Sequence, residues 1–137
     1  MPDYQKPLPY ISEGTQPFWE GTRAHELRLP RCRDCGRFHF YPRSLCPQCL
    51  SSDLEWVRAS GRGKVYSFTI SHRPATPAFK EDVPYNIIIV ELDEGPRMMS
   101  NLTGCANEDI SIDMPVEAVF DDVTEEVTLP RFRPIAD

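Results

Sequence analysis

Two pairs of cysteines, Cys32 with Cys35 and Cys46 with Cys49, each enclose a two-residue gap, and ten residues separate the pairs. A gap of two lets the chain turn tightly enough for both sulfurs to face one ion. Two such turns can set four thiolates at the corners of a tetrahedron about 2.3 Å from a zinc ion. Gly36 follows the first pair, where a tight turn calls for conformational freedom. The spacing therefore predicts a zinc ribbon with one structural zinc on Cys32, Cys35, Cys46 and Cys49. The interval between pairs is shorter than usual for this pattern, and it leaves room only for a tight excursion carrying Phe38, Phe40, Tyr41 and Pro42. Four reduced core cysteines are the plainer alternative. Disulfides are disfavoured, because the first twelve residues contain nothing like a secretion signal, and the cytoplasm, the expected location, keeps thiols reduced. Iron in a rubredoxin-like site is disfavoured by the short interval.

Chemistry beyond the metal is sparse. The histidines are His25, His39 and His72, and Cys105 is the one cysteine outside the two pairs; a lone cysteine is most often a small buried hydrophobe. The carboxylate pairs Asp121-Asp122 and Glu125-Glu126 sit in turn-like or strand-edge contexts, where a solvated rim is the ordinary account. Gly61-Arg62-Gly63 lacks the following helix that a phosphate-cradling loop needs, so it reads as a bend into a strand. A zinc ion held by four thiolates has no open position for an activated water. The chain reads as an accessory protein with no catalytic residues of its own.

The elements that must position these residues emerge from periodicity. The first dozen residues, with Pro2, Pro7 and Pro9, read as an extended arm. Pro17 suits the first turn of a short helix whose apolar side takes Phe18, Trp19 and Leu27, with Pro30 closing the segment. Phe18 and Trp19 either pack on the rest of the chain or dock into a partner. The arginines near the cysteines, Arg31, Arg33, Arg37 and Arg43, read as an offset to the negative tetrathiolate site. Residues 64–70 alternate, with Tyr66, Phe68 and Ile70 on one face; 85–92 is apolar on both faces; 97–102 returns after a turn at 93–96; and 116–120 pairs with 127–132 around Asp121 and Asp122. Five strands suit a small Greek-key barrel of the OB type, in which the loop at 71–84 between the first two strands is a common ligand site. The expected architecture is mainly β: arm and helix over 1–30, a rubredoxin-like zinc ribbon over 31–56 and a five-stranded OB-type barrel over 57–137.

Charge and hydropathy exclude other classes. The longest strongly apolar run, 87–90, is far short of the ~20 residues that span a bilayer, so no membrane association is expected. Net charge is −6, and residues 61–137 hold fourteen Asp/Glu against seven Lys/Arg. An acidic barrel is a poor start for a phosphate-backbone binder. A zinc-ribbon OB-fold nucleic-acid-binding module is therefore the weaker of the two function classes, although both folds occur in such proteins.

Several stretches, in order, carry a resemblance: Pro17-Phe18-Trp19-Glu20, Cys32-Arg33-Asp34-Cys35-Gly36, Tyr41-Pro42-Arg43, Leu45-Cys46-Pro47-Gln48-Cys49, Gly61 through Thr69, Pro84-Tyr85, Glu91 through Arg97 and Met114-Pro115-Val116. Together they resemble the acyl-CoA-associated zinc-ribbon OB-fold family, long catalogued as a domain of unknown function. Asp113 stands where that family commonly has glycine. The resemblance implies a non-catalytic subunit that works beside a thiolase-superfamily enzyme, thiolase or aldolase, in assemblies with two copies of each subunit. The partner then supplies the nucleophilic cysteine and oxyanion hole, and this chain helps shape the acyl or CoA channel. On that implication Arg43, Arg62, Lys64 and Arg73 are the candidates for CoA phosphates, and Phe18, Trp19, Phe79 and Tyr85 are the candidate partner anchors.

Overall fold

The computed structural model describes residues 6–135; the part of the expected arm over 1–5 lies outside them. A short helix α1 (Gln16–Arg23) leads into an antiparallel pair, β1 (Arg28–Cys32) and β2 (Leu54–Arg58). Five further strands come after it: β3 (Arg62–Ser71), β4 (Tyr85–Leu92), β5 (Arg97–Ser100), β6 (Pro115–Asp122) and β7 (Thr128–Pro134). They form one antiparallel sheet in the order β5-β4-β3-β6-β7. The sheet curls until its outer strands nearly meet. Phe132 bridges Leu102 in parallel register, accepting the Thr103 amide at 2.7 Å and donating to the Asn101 carbonyl at 3.0 Å. The result is the curled half-barrel of an OB fold behind a ribbon.

Burial matches the strand period where the sequence alternates. In β4, Asn86, Ile88, Val90 and Leu92 point inward. In β3 the expected alternation fails at one place, because a bulge between Val65 and Ser67 leaves Tyr66 without a partner on β4. An extra residue in one strand reverses the facing of the residues after it. Val65 is therefore fully buried and Tyr66 turns outward, while Phe68 and Ile70 pack against the core. At Gly63 the strands approach so closely that a Cβ would strike the Glu91 carbonyl oxygen and lie 2.9 Å from Val90 Cγ1.

Three other expectations are revised. Leu27 lies beyond α1, and Pro30 sits inside β1 opposite Trp56 rather than closing the helix. Asp121 and Asp122 belong to β6, with Asp122 paired to Thr128, so the turn falls at 123–127. The loop expected over 71–84 begins at 72, because Ser71 still belongs to β3; it holds a 3-10 turn at Pro77–Phe79 and is tied to the N-terminal arm by a Lys6–Asp82 ion pair at 3.0 Å. Asp113, in place of glycine, keeps a left-handed backbone at φ 69° and donates its amide to the Val65 carbonyl.

Helix, ribbon and half-barrel share one apolar core. Phe18, Trp19, Leu27 and Leu29 pack in the same cluster as Val65, Ile88, Val90, Val116 and Phe132. The Phe18 ring lies 5.0 Å from Trp19, edge to face, and 5.5 Å from Phe40 of the interval between the cysteine pairs.

Candidate metal centre and surrounding sites

The two cysteine turns are built alike. After Cys32 the chain returns so that Gly36 donates its amide to the Cys32 carbonyl at 2.8 Å and the Cys32 amide reaches the Arg37 carbonyl at 2.9 Å. After Cys46, Leu50 donates to the Cys46 carbonyl and the Cys46 amide reaches Ser51, both at 2.8 Å. Both returns need a left-handed residue at the same step: Gly36 supplies it at φ 77° and Leu50 at φ 63°. Backbone amides also face the first sulfur of each turn, from Cys35 to Cys32 Sγ and from Gln48 to Cys46 Sγ, each at 3.4 Å. The Cys35 amide lowers the Cys32 thiol from its ordinary range. The Cys49 amide, with that of Gln48, lowers Cys46 to about 7.

The turns bring their sulfurs together. Cys32 Sγ lies 3.5 Å from Cys49 Sγ and Cys35 Sγ 3.6 Å from Cys46 Sγ, and all four lie within 4.8 Å of one another. A tetrahedron with metal–sulfur bonds of ~2.3 Å has edges of ~3.8 Å, so the donor set fits zinc. These separations are far longer than a disulfide bond. Cys32 and Cys46 are buried, Cys35 and Cys49 exposed. Four sulfurs complete the coordination of the metal they would hold, which makes the centre structural. Two of the four surrounding arginines meet carboxylates: Arg33 lies 3.0 Å from Asp53 and 3.7 Å from Glu55, and Arg31 lies 3.9 Å from Glu55 while its Nε donates to the Gly36 carbonyl.

The remaining chemistry-bearing side chains stand apart. His25 pairs with Asp122 at 3.1 Å and stacks on Phe120, both at the surface. The Asp122 carboxyl is held low by the Thr128 hydroxyl first and His25 second. His39 is buried under the ribbon. Burial, and after it the charge of Asp109, push the Cys105 thiol up.

The four CoA-phosphate candidates are not gathered at one place. Arg43 is exposed on the ribbon, and Arg62 and Lys64 are exposed at the start of β3, with Lys64 3.6 Å from Asp113. Arg73 lies past the other end of that ten-residue strand, ~30 Å away at 3.3 Å per residue. The four candidate anchors divide in two. Phe18 and Trp19 are 1% and 7% exposed, so their surface is spent on the chain's own core. Phe79 and Tyr85 are half-buried with rings 5.9 Å apart, and they wall a concavity of about 550 Å³ whose other side includes Asn101, Cys105 and Arg131. Sequence reasoning missed the polar frame of that concavity. Asn86 donates to the Leu102 carbonyl and to Asn107 Oδ1, and accepts the Leu102 amide at 2.6 Å. Its signal was an asparagine within the apolar run of β4. The mixed polar and apolar lining suits part of a ligand or a partner surface.

Comparisons with known proteins agree with this architecture. Residues 19–55 match the family described as ChsH2, rubredoxin-like zinc ribbon domain, and residues 56–121 match ChsH2, C-terminal OB-fold domain. A probable enoyl-CoA hydratase alpha subunit of Thermomonospora curvata is 38% identical over 133 residues, 97% of this chain; the chain spans 41% of that relative's length. A DUF35 domain-containing scaffold protein of Methanocaldococcus jannaschii is 40% identical over 97 residues, 70% of this chain and 68% of the relative. The benzoylsuccinyl-CoA thiolase subunit BbsA of Thauera aromatica is 32% identical over 102 residues, 72% of this chain and 69% of the relative. A solved chain from the Ltp2-ChsH2(DUF35) aldolase superposes with a TM-score of 0.82 at 38% identity, covering 93% of this chain and 98% of that one. By its matched ribbon and barrel and by these relatives, the chain belongs to the ChsH2/DUF35 family of zinc-ribbon OB-fold proteins.

Proposed function

We propose that this chain is a non-catalytic accessory subunit of a thiolase-superfamily enzyme, a thiolase or aldolase acting on an acyl-CoA, in an assembly with two copies of each subunit. The observation that carries this reading is the near-complete overlap with a solved chain of the Ltp2-ChsH2(DUF35) aldolase. A coordinatively closed metal centre supports it, since such a site stabilises the fold without activating a substrate. When bound, zinc would cross-link the two turns and stabilise a segment too small to fold alone.

On this reading the chain divides into an arm with helix over 1–30, a ribbon over 31–56 and a barrel over 57–137, and the loop at 72–84 with Phe79 and Tyr85 faces the partner. The concavity beside them extends the acyl channel. CoA phosphates are met by single exposed cations, Arg43, Arg62, Lys64 or Arg73, rather than by a cluster, since the cations stand apart. The assembly works in the cytoplasm without nucleic acid or membrane; among the described residues no helix is long and apolar enough to cross a bilayer. The test is turnover of acyl-CoA thioesters by the zinc-loaded chain alone and after reconstitution with its enzyme subunit. Activity confined to the reconstituted complex, lost with Phe79→Asp, is expected. Turnover by the isolated chain would overturn the reading.

A further inference from the structure

Beside the concavity walled by Phe79 and Tyr85 lies a second opening, of about 350 Å³, where the two edges of the curled sheet approach each other. The edge strands β5 and β7 form no ladder there. They are joined instead by the Ser100 hydroxyl, which donates to the Pro130 carbonyl, and by Arg131, which donates to Asn101 Oδ1, each at 2.9 Å. The slot left between them reaches core side chains. Phe18, Trp19 and Met98 are its buried floor, whereas Tyr41 and Met99, 45% and 68% exposed, stand open to a ligand at its rim. The lining is almost wholly apolar, in contrast to the mixed wall next door, and its one cation, Arg131, is already held by Asp121 at 3.0 Å. Asn101, Leu129 and Arg131 line both openings, so the two adjoin.

Size and polarity together choose the occupant. One turn of a docked helix, ~10 Å across and 5.4 Å long, fills about 400 Å³ by itself, more than the slot holds. The volume lies at the lower end of the ~300–1,000 Å³ of small-molecule sites, room for one hydrocarbon chain. An apolar slot that adjoins a mixed polar concavity matches one molecule with a polar head and an apolar tail. We propose that the slot takes the tail of the acyl group while the thioester end lies in the concavity, so that the substrates are thioesters of acyl groups much longer than butyryl. This rests on the reading of the chain as an acyl-CoA accessory subunit and adds the chemical class of the acyl part. Tyr41, Met99, Leu129 and Pro130 then measure chain length from outside the catalytic subunit.

Trp19 reports on the slot directly, since it lines the opening and the other tryptophan, Trp56, does not. In the full zinc-loaded chain carrying Trp56→Phe, ω-bromodecanoyl-CoA should quench Trp19 saturably, with the bromine at the end of the tail. Decanoyl-CoA should reverse the quenching at least about tenfold more effectively than butyryl-CoA, the gain from burying about two methylene groups. Met99→Asp, a change at the exposed rim, should erase that difference at unchanged zinc content and melting temperature. Absence of quenching, equal competition by butyryl-CoA, competition by free decanoate as strong as by its thioester, or a chain-length difference that survives in a folded Met99→Asp overturns the proposal. Calorimetric titration of the unsubstituted chain with decanoyl-CoA and butyryl-CoA decides it even if a variant misfolds. Equal binding of the two beside partner-dependent turnover overturns the slot alone; a chain-length preference without partner-dependent turnover overturns the accessory-subunit reading alone.

Discussion

At Leu50 and Gly36 the same backbone step is occupied by two different residues, and the difference is measurable. A branched side chain held at φ 63° carries a steric cost that glycine avoids, ~1 kcal/mol or more. Leu50 is 71% exposed, so its removal forfeits little packing. Leu50→Gly should therefore raise stability of the metal-loaded protein by about 0.5–1 kcal/mol, and Gly36→Ala should lower it by about 1 kcal/mol; urea unfolding measures both. His39 gives a second prediction. Its protonation is suppressed in the folded chain by burial and by Arg43, whereas the unfolded chain takes up the proton near pH ~6.5. The unfolded state then binds more protons than the native one, so stability present above pH ~6.5 falls as pH drops toward the lower folded value. His39→Phe should flatten that part of the profile in thermal melts from pH ~7 to ~5.

The elements show which features a linear pattern carries. The metal ligands are legible in the sequence because their geometry is local: two-residue gaps alone fix each turn. The five barrel strands are legible from their alternation and from the turn at 93–96. Strict alternation misplaces Tyr66 because a bulge depends on how β3 pairs with β4, which no property of β3 alone reveals. Phe18 and Trp19 leave packing and docking open until α1 is seated on β1, β6 and β7. His39 and Glu94 come from segments far apart in the chain, so only the fold could bring them to one crevice. Gly61-Arg62-Gly63 reads as a bend, but the constraint at Gly63 is the closeness of β4. Gly63→Ala should cost about 2 kcal/mol or more, since the new methyl meets backbone that cannot yield cheaply; a lowered midpoint at unchanged m-value checks it.

For the whole molecule, the shared core is the decisive feature. Phe18, Trp19, Leu27 and Leu29 belong to the same cluster as the barrel's Val65, Val90 and Phe132, so ribbon and barrel should not melt separately. Chelation of the metal is expected to shift one cooperative transition downward for both far-ultraviolet dichroism and tryptophan fluorescence, rather than splitting it in two. No long linker intervenes between the two parts: β2 ends at Arg58 and β3 begins at Arg62, so the metal centre is coupled to the surface around Phe79 and Tyr85 through a short, continuous body. That continuity suits the proposed role of holding a face toward an enzyme. The most direct test is native mass spectrometry of the tagged chain drawn gently from its source extract. The account predicts a stoichiometric complex with a thiolase-superfamily subunit, two copies of each, carrying one zinc per copy of this chain. Recovery of the zinc-loaded chain alone, or with nucleic acid, would contradict it.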